Sequence, residues 1–106
     1  MKTEKTKKKT LKKNFSRAHL FYSGRVQGVG FRFTAERLAL ELGLVGWVKN
    51  LPDRRVELVC EGEREDVEAL LRRIRESSLG ASIAKTVCEW ESATGEFSDF
   101  SIEYCL

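Results

Sequence analysis

The segment Gly24-Arg25-Val26-Gln27-Gly28-Val29-Gly30 follows an apolar, strand-like run and precedes a stretch of helical periodicity that opens at Phe31. Glycines at this spacing suit an anion. Without Cβ atoms, successive backbone N–H groups can converge on one oxyanion. The start of the following helix adds unpaired N–H donors and a partial positive charge. Arg32 falls in the first turn of that helix, where a cation opposes the dipole unless an anion lies between them. Its planar guanidinium pairs two phosphate oxygens at once and stays protonated at any working pH. The loop is not a nucleotide-binding G-K-[ST] loop, and its glycines run G-x-x-x-G-x-G rather than G-x-G-x-x-G. On these residues alone, a plain strand-to-helix turn accounts for the glycines as well as an anion site does.

The elements that must position this loop can be read from periodicity. Ala18–Ser23 is apolar and aromatic-rich and stops at Gly24, which predicts a first strand. Phe31, Ala35, Leu38, Ala39 and Leu42 share one helical face, and Gly43 supplies the stop. Val45–Asn50 and Val56–Glu61 read as the second and third strands, joined by the turn Leu51-Pro52-Asp53-Arg54-Arg55. Gly62 is expected to open a second helix, with Val67, Leu70, Leu71 and Ile74 on its inner face. Ser77-Ser78-Leu79-Gly80 ends it. Ile83–Glu91 reads as a fourth strand, and Phe100, Ile102 and Tyr104 alternate as a last one. The order β-α-β-β-α-β plus a short C-terminal strand predicts an α+β ferredoxin-like sandwich, an antiparallel sheet with two helices on one face. That fold hosts enzymes, metal carriers and RNA binders, so it does not decide function.

The full string Gly24-Arg25-Val26-Gln27-Gly28-Val29-Gly30-Phe31-Arg32 closely resembles the signature of the acylphosphatase family. Gly46-Trp47-Val48-Lys49-Asn50, followed by Val56 and Gly62, is similar to that family's second signature. Gly95-Glu96-Phe97-Ser98-Asp99-Phe100, then Ile102 and Tyr104, is similar to its C-terminal strand. The resemblance spans about residues 18–104. It implies metal-independent hydrolysis of an acyl phosphate to a carboxylate and inorganic phosphate. It also implies roles. The backbone amides of Arg25, Val26, Gln27, Gly28, Val29 and Gly30 cradle the phosphoryl oxygens. Arg32 binds them and stabilises the transition state, and Asn50 orients the attacking water. No cofactor and no metal are expected. On the residues alone, Asn50 also suits a turn cap before Leu51-Pro52. One position departs from the family pattern: Arg54 stands where the family usually has glycine, so a slightly altered turn is expected there.

Charge and cysteine content bound the remaining possibilities. The chain has 106 residues, which favours one domain. The net charge is +3, but it is unevenly placed. Residues 1–17 carry eight basic side chains against Glu4, a net +7, and residues 18–106 carry 11 basic against 15 acidic, a net −4. Residues 1–16 are therefore read as a basic, disordered tail and 17–106 as the domain. The tail holds a single aromatic, Phe15, so base stacking is not expected of it. Its Lys-rich character does not suit a mitochondrial leader, and no apolar stretch of a secretory signal follows it. No apolar run approaches the ~20 residues that span a bilayer. Cys60, Cys88 and Cys105 show no C-x-x-C spacing, which argues against a disulfide framework or a zinc site. His19, the single histidine, is read as structural. A cytoplasmic monomer acting on small acyl phosphates and releasing inorganic phosphate is expected, with neither membrane nor nucleic acid as a partner. The third strand lacks the aromatics of an RNA-recognition motif.

Overall fold

The computed structural model describes residues 15–104. The expected basic tail, up to residue 14, and Cys105 lie outside them. The elements are β1 (Phe15–Gly24), α1 (Phe31–Glu41), β2 (Val45–Asn50), β3 (Val56–Glu63), α2 (Arg64–Glu76), a short 3₁₀ turn (Ser78–Ser82), β4 (Ile83–Ser92) and β5 (Phe100–Ile102).

The strands form one sheet in the order β4-β1-β3-β2-β5. The β1–β3, β1–β4 and β2–β3 pairs are antiparallel. Strand alternation puts Ala18, Leu20 and Tyr22 of β1, and Val56, Leu58 and Cys60 of β3, on the buried face. Phe31, Ala35, Leu38 and Ala39 of α1 and Val67, Leu70 and Ile74 of α2 close over that face and complete the core. The α1 helix ends in a Schellman arrangement, in which the Gly43 amide donates to Leu40 and the Leu44 amide to Ala39. Glu65 and Asp66 occupy the first turn of α2 and Arg73 and Arg75 its last, which favours its dipole.

Four details differ from the sequence expectation. First, β5 runs parallel to β2 rather than antiparallel. The chain leaves β4 at the end of the sheet where β1 and β2 begin. A crossing along that end delivers it to the start of β2, so β5 must run in the same direction. Second, Gly62 belongs to β3, and α2 opens at Arg64. Gly62 pairs with Ser16, and a Cβ there would collide with the Leu44 side chain. The glycine serves close approach of strand and side chain, not a helix start. Third, Tyr104 lies beyond β5 and is exposed. The first strand also begins at Phe15, three residues earlier than the apolar run suggests.

Burial pushes the Cys60 thiol up to about 12 and raises that of Cys88. Both are free and behave as small apolar residues. No helix among the described residues is long and apolar enough to cross a membrane.

Candidate active site

The glycine-bearing loop leaves β1 and wraps over the end of the sheet where β2 finishes. Val26 is fully buried and anchors the loop in the core. Gln27 ties it to the β2–β3 turn: its Nε2 donates to the carbonyls of Leu51 at 2.9 Å and Arg55 at 3.0 Å. Gly28 and Gly30 adopt φ of 79° and 82°, the left-handed region that side chains avoid. Gly30 is the N-cap of α1, with no side-chain cap and no acidic residue in the first turn. The Gly30 carbonyl accepts from Thr34. Among the described residues, no carbonyl or side chain accepts from the amides of Val26, Gln27, Gly28, Val29 or Gly30. Donors left open at the start of a helix, beside a concavity lined by Val26, Gly28 and Gly30, favour an anion.

The Arg25 amide is the exception in this loop. It donates to the Ser82 carbonyl at 2.9 Å, so contact of Arg25 with an anion falls to its guanidinium. Of the six amides expected to form the cradle, that of Arg25 is thus already engaged.

Arg32 and Asn50 line one cleft of about 160 Å³ with Val26, Gly28 and Gly30. The helix supplies Arg32 and the end of β2 supplies Asn50, two elements far apart in sequence. The Arg32 guanidinium carbon lies 5.3 Å from the centre of the Tyr104 ring. The Asn50 Oδ1 atom is buried with no hydrogen-bond partner among the described residues. An amide oxygen buried without a partner is uncommon in a folded protein and calls for an explanation. Exposed Phe33 also lines the cleft, and Val29 is exposed on the loop beside it. Among the described residues, no cluster of His, Cys, Asp or Glu is placed to hold a metal ion.

Comparison with known proteins places the chain in a family. The family model for acylphosphatase matches residues 18–102. The chain belongs to the acylphosphatase family. It is 49% identical over 86 residues to an acylphosphatase of Methylococcus capsulatus, covering 81% of this chain and 94% of that one. Among solved structures, the acylphosphatase of Bacillus subtilis superposes with a TM-score of 0.78 at 30% identity, covering 84% of this chain and 99% of that one. The acylphosphatase of Coxiella burnetii gives 0.77 at 38% identity, with coverage of 86% and 95%.

Within that family frame, Arg54 behaves differently from the sequence expectation. It takes φ 78°, the only non-glycine residue with positive φ among the described residues. The turn keeps the shape a glycine would give it, and the arginine bears the strain. Its amide donates to the Leu51 carbonyl at 3.0 Å, while Asp53 accepts from the Arg55 amide at 3.1 Å. Two features were not legible in the sequence. Alternation seated Tyr104 in a strand and gave no sign of its approach to Arg32. The tie from Gln27 to the turn joins residues 24 and 28 positions apart, which no local pattern reveals.

Proposed function

We propose that the protein hydrolyses acyl phosphates to a carboxylate and inorganic phosphate, without a metal ion. The observation that carries this is the partnerless Asn50 Oδ1 in the same cleft as Arg32 and the uncapped loop amides. In this reading the amides of Val26, Gln27, Gly28, Val29 and Gly30 hold the phosphoryl oxygens, and the Arg32 guanidinium binds two of them. Asn50 accepts a hydrogen bond from the attacking water and holds it in line.

Water adds to phosphorus as the bond from phosphorus to the acyl oxygen breaks. The electron pair of that bond leaves with the carboxylate, and both protons of the water end on the inorganic phosphate. The conjugate acid of the leaving group has a pKa of ~4, so no general acid is needed. The transition state is loose, with charge spread over the equatorial oxygens, so donors and a fixed cation supply most of the catalysis.

The finer expectations belong to the same proposal: a monomer, in the cytoplasm, taking free acyl phosphates. The free thiols of Cys60 and Cys88 suit a reducing compartment. Nucleic acid is not a partner in this reading. The aromatics of the open sheet face, Phe21 and Trp47, are each covered by a cation of this chain, Arg55 at 4.6 Å and Lys49 at 5.0 Å from the ring centres, which leaves their faces unavailable for base stacking.

The test is hydrolysis of benzoyl phosphate with EDTA present, beside p-nitrophenyl phosphate, whose leaving group is a poorer one. Rapid turnover of the first and little of the second supports the reading. A folded protein that turns over neither contradicts it.

A further inference from the structure

A second cleft, of about 220 Å³, lies on the other side of the loop and shares Val26 as a wall with the first. Gly24, Arg25, Gln27 and Arg54 complete it. Arg25 and Arg54 are both exposed, and neither is paired with an acidic group among the described residues. The nearest acid in the turn, Asp53, is taken by Arg55, whose Nε lies 2.9 Å from its Oδ2. The two bonds from Gln27 hold the turn that carries Arg54 against the loop. Arg54 holds its place at positive φ, where arginine is strained and glycine would not be. Strain of this kind persists where a side chain has work to do. Two unpaired guanidiniums and no competing carboxylate among the described residues suit an anion at a place distinct from the phosphoryl cradle.

We propose that Arg25 and Arg54 form a subsite for a second anionic group on the substrate, so that the enzyme favours acyl phosphates whose acyl part bears a carboxylate or phosphate. The proposal rests on the acylphosphatase reading above. The phosphoryl group occupies the cradle, the acyl part extends across the loop from the first cleft to the second, and its distal anion meets the two guanidiniums.

The test compares matched substrates. Benzoyl phosphate is set against 4-carboxybenzoyl phosphate, and propanoyl phosphate against its 3-phosphorylated analogue, in wild type, Arg54→Gln and Arg54→Lys. The readout is the ratio of kcat/KM within each pair. Arg54→Gln keeps the side-chain length and the strained backbone and removes the charge. The ratio of charged to uncharged substrate is expected to fall about two- to fivefold in Arg54→Gln, the range for an exposed ion pair. It is expected to hold in Arg54→Lys, and to fall in wild type as salt is raised. A fall confined to the phosphorylated pair assigns the subsite to phosphate, and one confined to the carboxylated pair assigns it to carboxylate. An unchanged ratio in both pairs for Arg54→Gln overturns the proposal. If folded wild type hydrolyses none of the four, the acylphosphatase reading fails instead. The subsite is then judged by equilibrium binding of benzoylphosphonate and 4-carboxybenzoylphosphonate to wild type and Arg54→Gln. The same two- to fivefold difference supports the subsite, and its absence overturns it.

Discussion

The two ends of the sheet treat polar groups in opposite ways. At one end, where β1 and β2 finish, the loop amides, the α1 N-terminus and Asn50 Oδ1 have no partner among the described residues. At the other end, the carboxylate of Glu61 is almost wholly buried and fully engaged. It accepts from the Thr94 amide at 2.8 Å, the Thr94 hydroxyl at 3.0 Å and the Gly95 amide at 3.0 Å, and it pairs with Arg17 at 3.2 Å. Arg17 in turn brings its Nε to 3.1 Å from Glu91, an ion pair by distance whose alignment is not that of a hydrogen bond. The satisfied end fixes the crossing from β4 to β5. In the proposed reading the unsatisfied end is left for a ligand. Polar groups that stabilise the fold find their partners within it, whereas those that act on a substrate are kept without them.

Substitutions should therefore separate activity from stability by location. The largest effect is expected from Arg32→Ala, a loss of about 10²–10³ in kcat/KM for benzoyl phosphate with the thermal midpoint little changed. Asn50→Ala should lower kcat about 10²-fold while sparing the phosphate affinity, since it acts on the water. Equal losses of stability and activity in either variant would erase the contrast between the two ends.

At the satisfied end the pattern should invert. Glu61→Gln should cost about 2 kcal/mol in denaturant unfolding and leave kcat within about twofold. The same carboxylate gives a pH signature. Burial raises its pKa, but the Thr94 and Gly95 amides, the Thr94 hydroxyl and Arg17 outweigh that and hold it below the usual carboxylate value of 4.5. A depressed folded pKa contributes stability above the unfolded value, and that stability is lost as pH falls through the folded value. Acid unfolding below pH 4.5 should be steeper in wild type than in Glu61→Gln. A superimposable pH dependence would place the stabilisation elsewhere.

Smaller effects sharpen the picture at the active end. Tyr104→Leu removes the ring beneath Arg32 and should lower kcat/KM about two- to fivefold, the range of an exposed cation–π contact. Arg54→Gly should raise stability by about 0.5–1 kcal/mol, because relief of a left-handed arginine exceeds the added flexibility of glycine in the unfolded chain.

Most of the fold was legible from periodicity, because each helix and each of the first three strands has a buried face with its own repeat, and half-buried Cys88 and Trp90 mark the inner face of β4. What was not legible depended on contacts between distant segments. The direction of β5 follows from where the crossing delivers the chain. The place of Gly62 in a strand follows from the bulk of Leu44. The loop and Arg32 were visible as an anion site of undecided status. Asn50 was singled out only through the family resemblance, since asparagine before Leu51-Pro52 reads equally as a turn cap. The partnerless oxygen that gives Asn50 its meaning exists only once β2 is laid beside α1. The engagement of the Arg25 amide with Ser82 was likewise invisible, because it joins two loops separated by most of the chain.

The most direct test is a titration of the ¹⁵N-labelled protein with inorganic phosphate, followed through its backbone amides. Saturable shifts are expected at Val26 through Arg32, lost in Arg32→Ala, with Thr94 and Gly95 unmoved. No shift at the loop, or shifts centred on Thr94 and Gly95, would contradict the assignment of the phosphoryl site to the unsatisfied end.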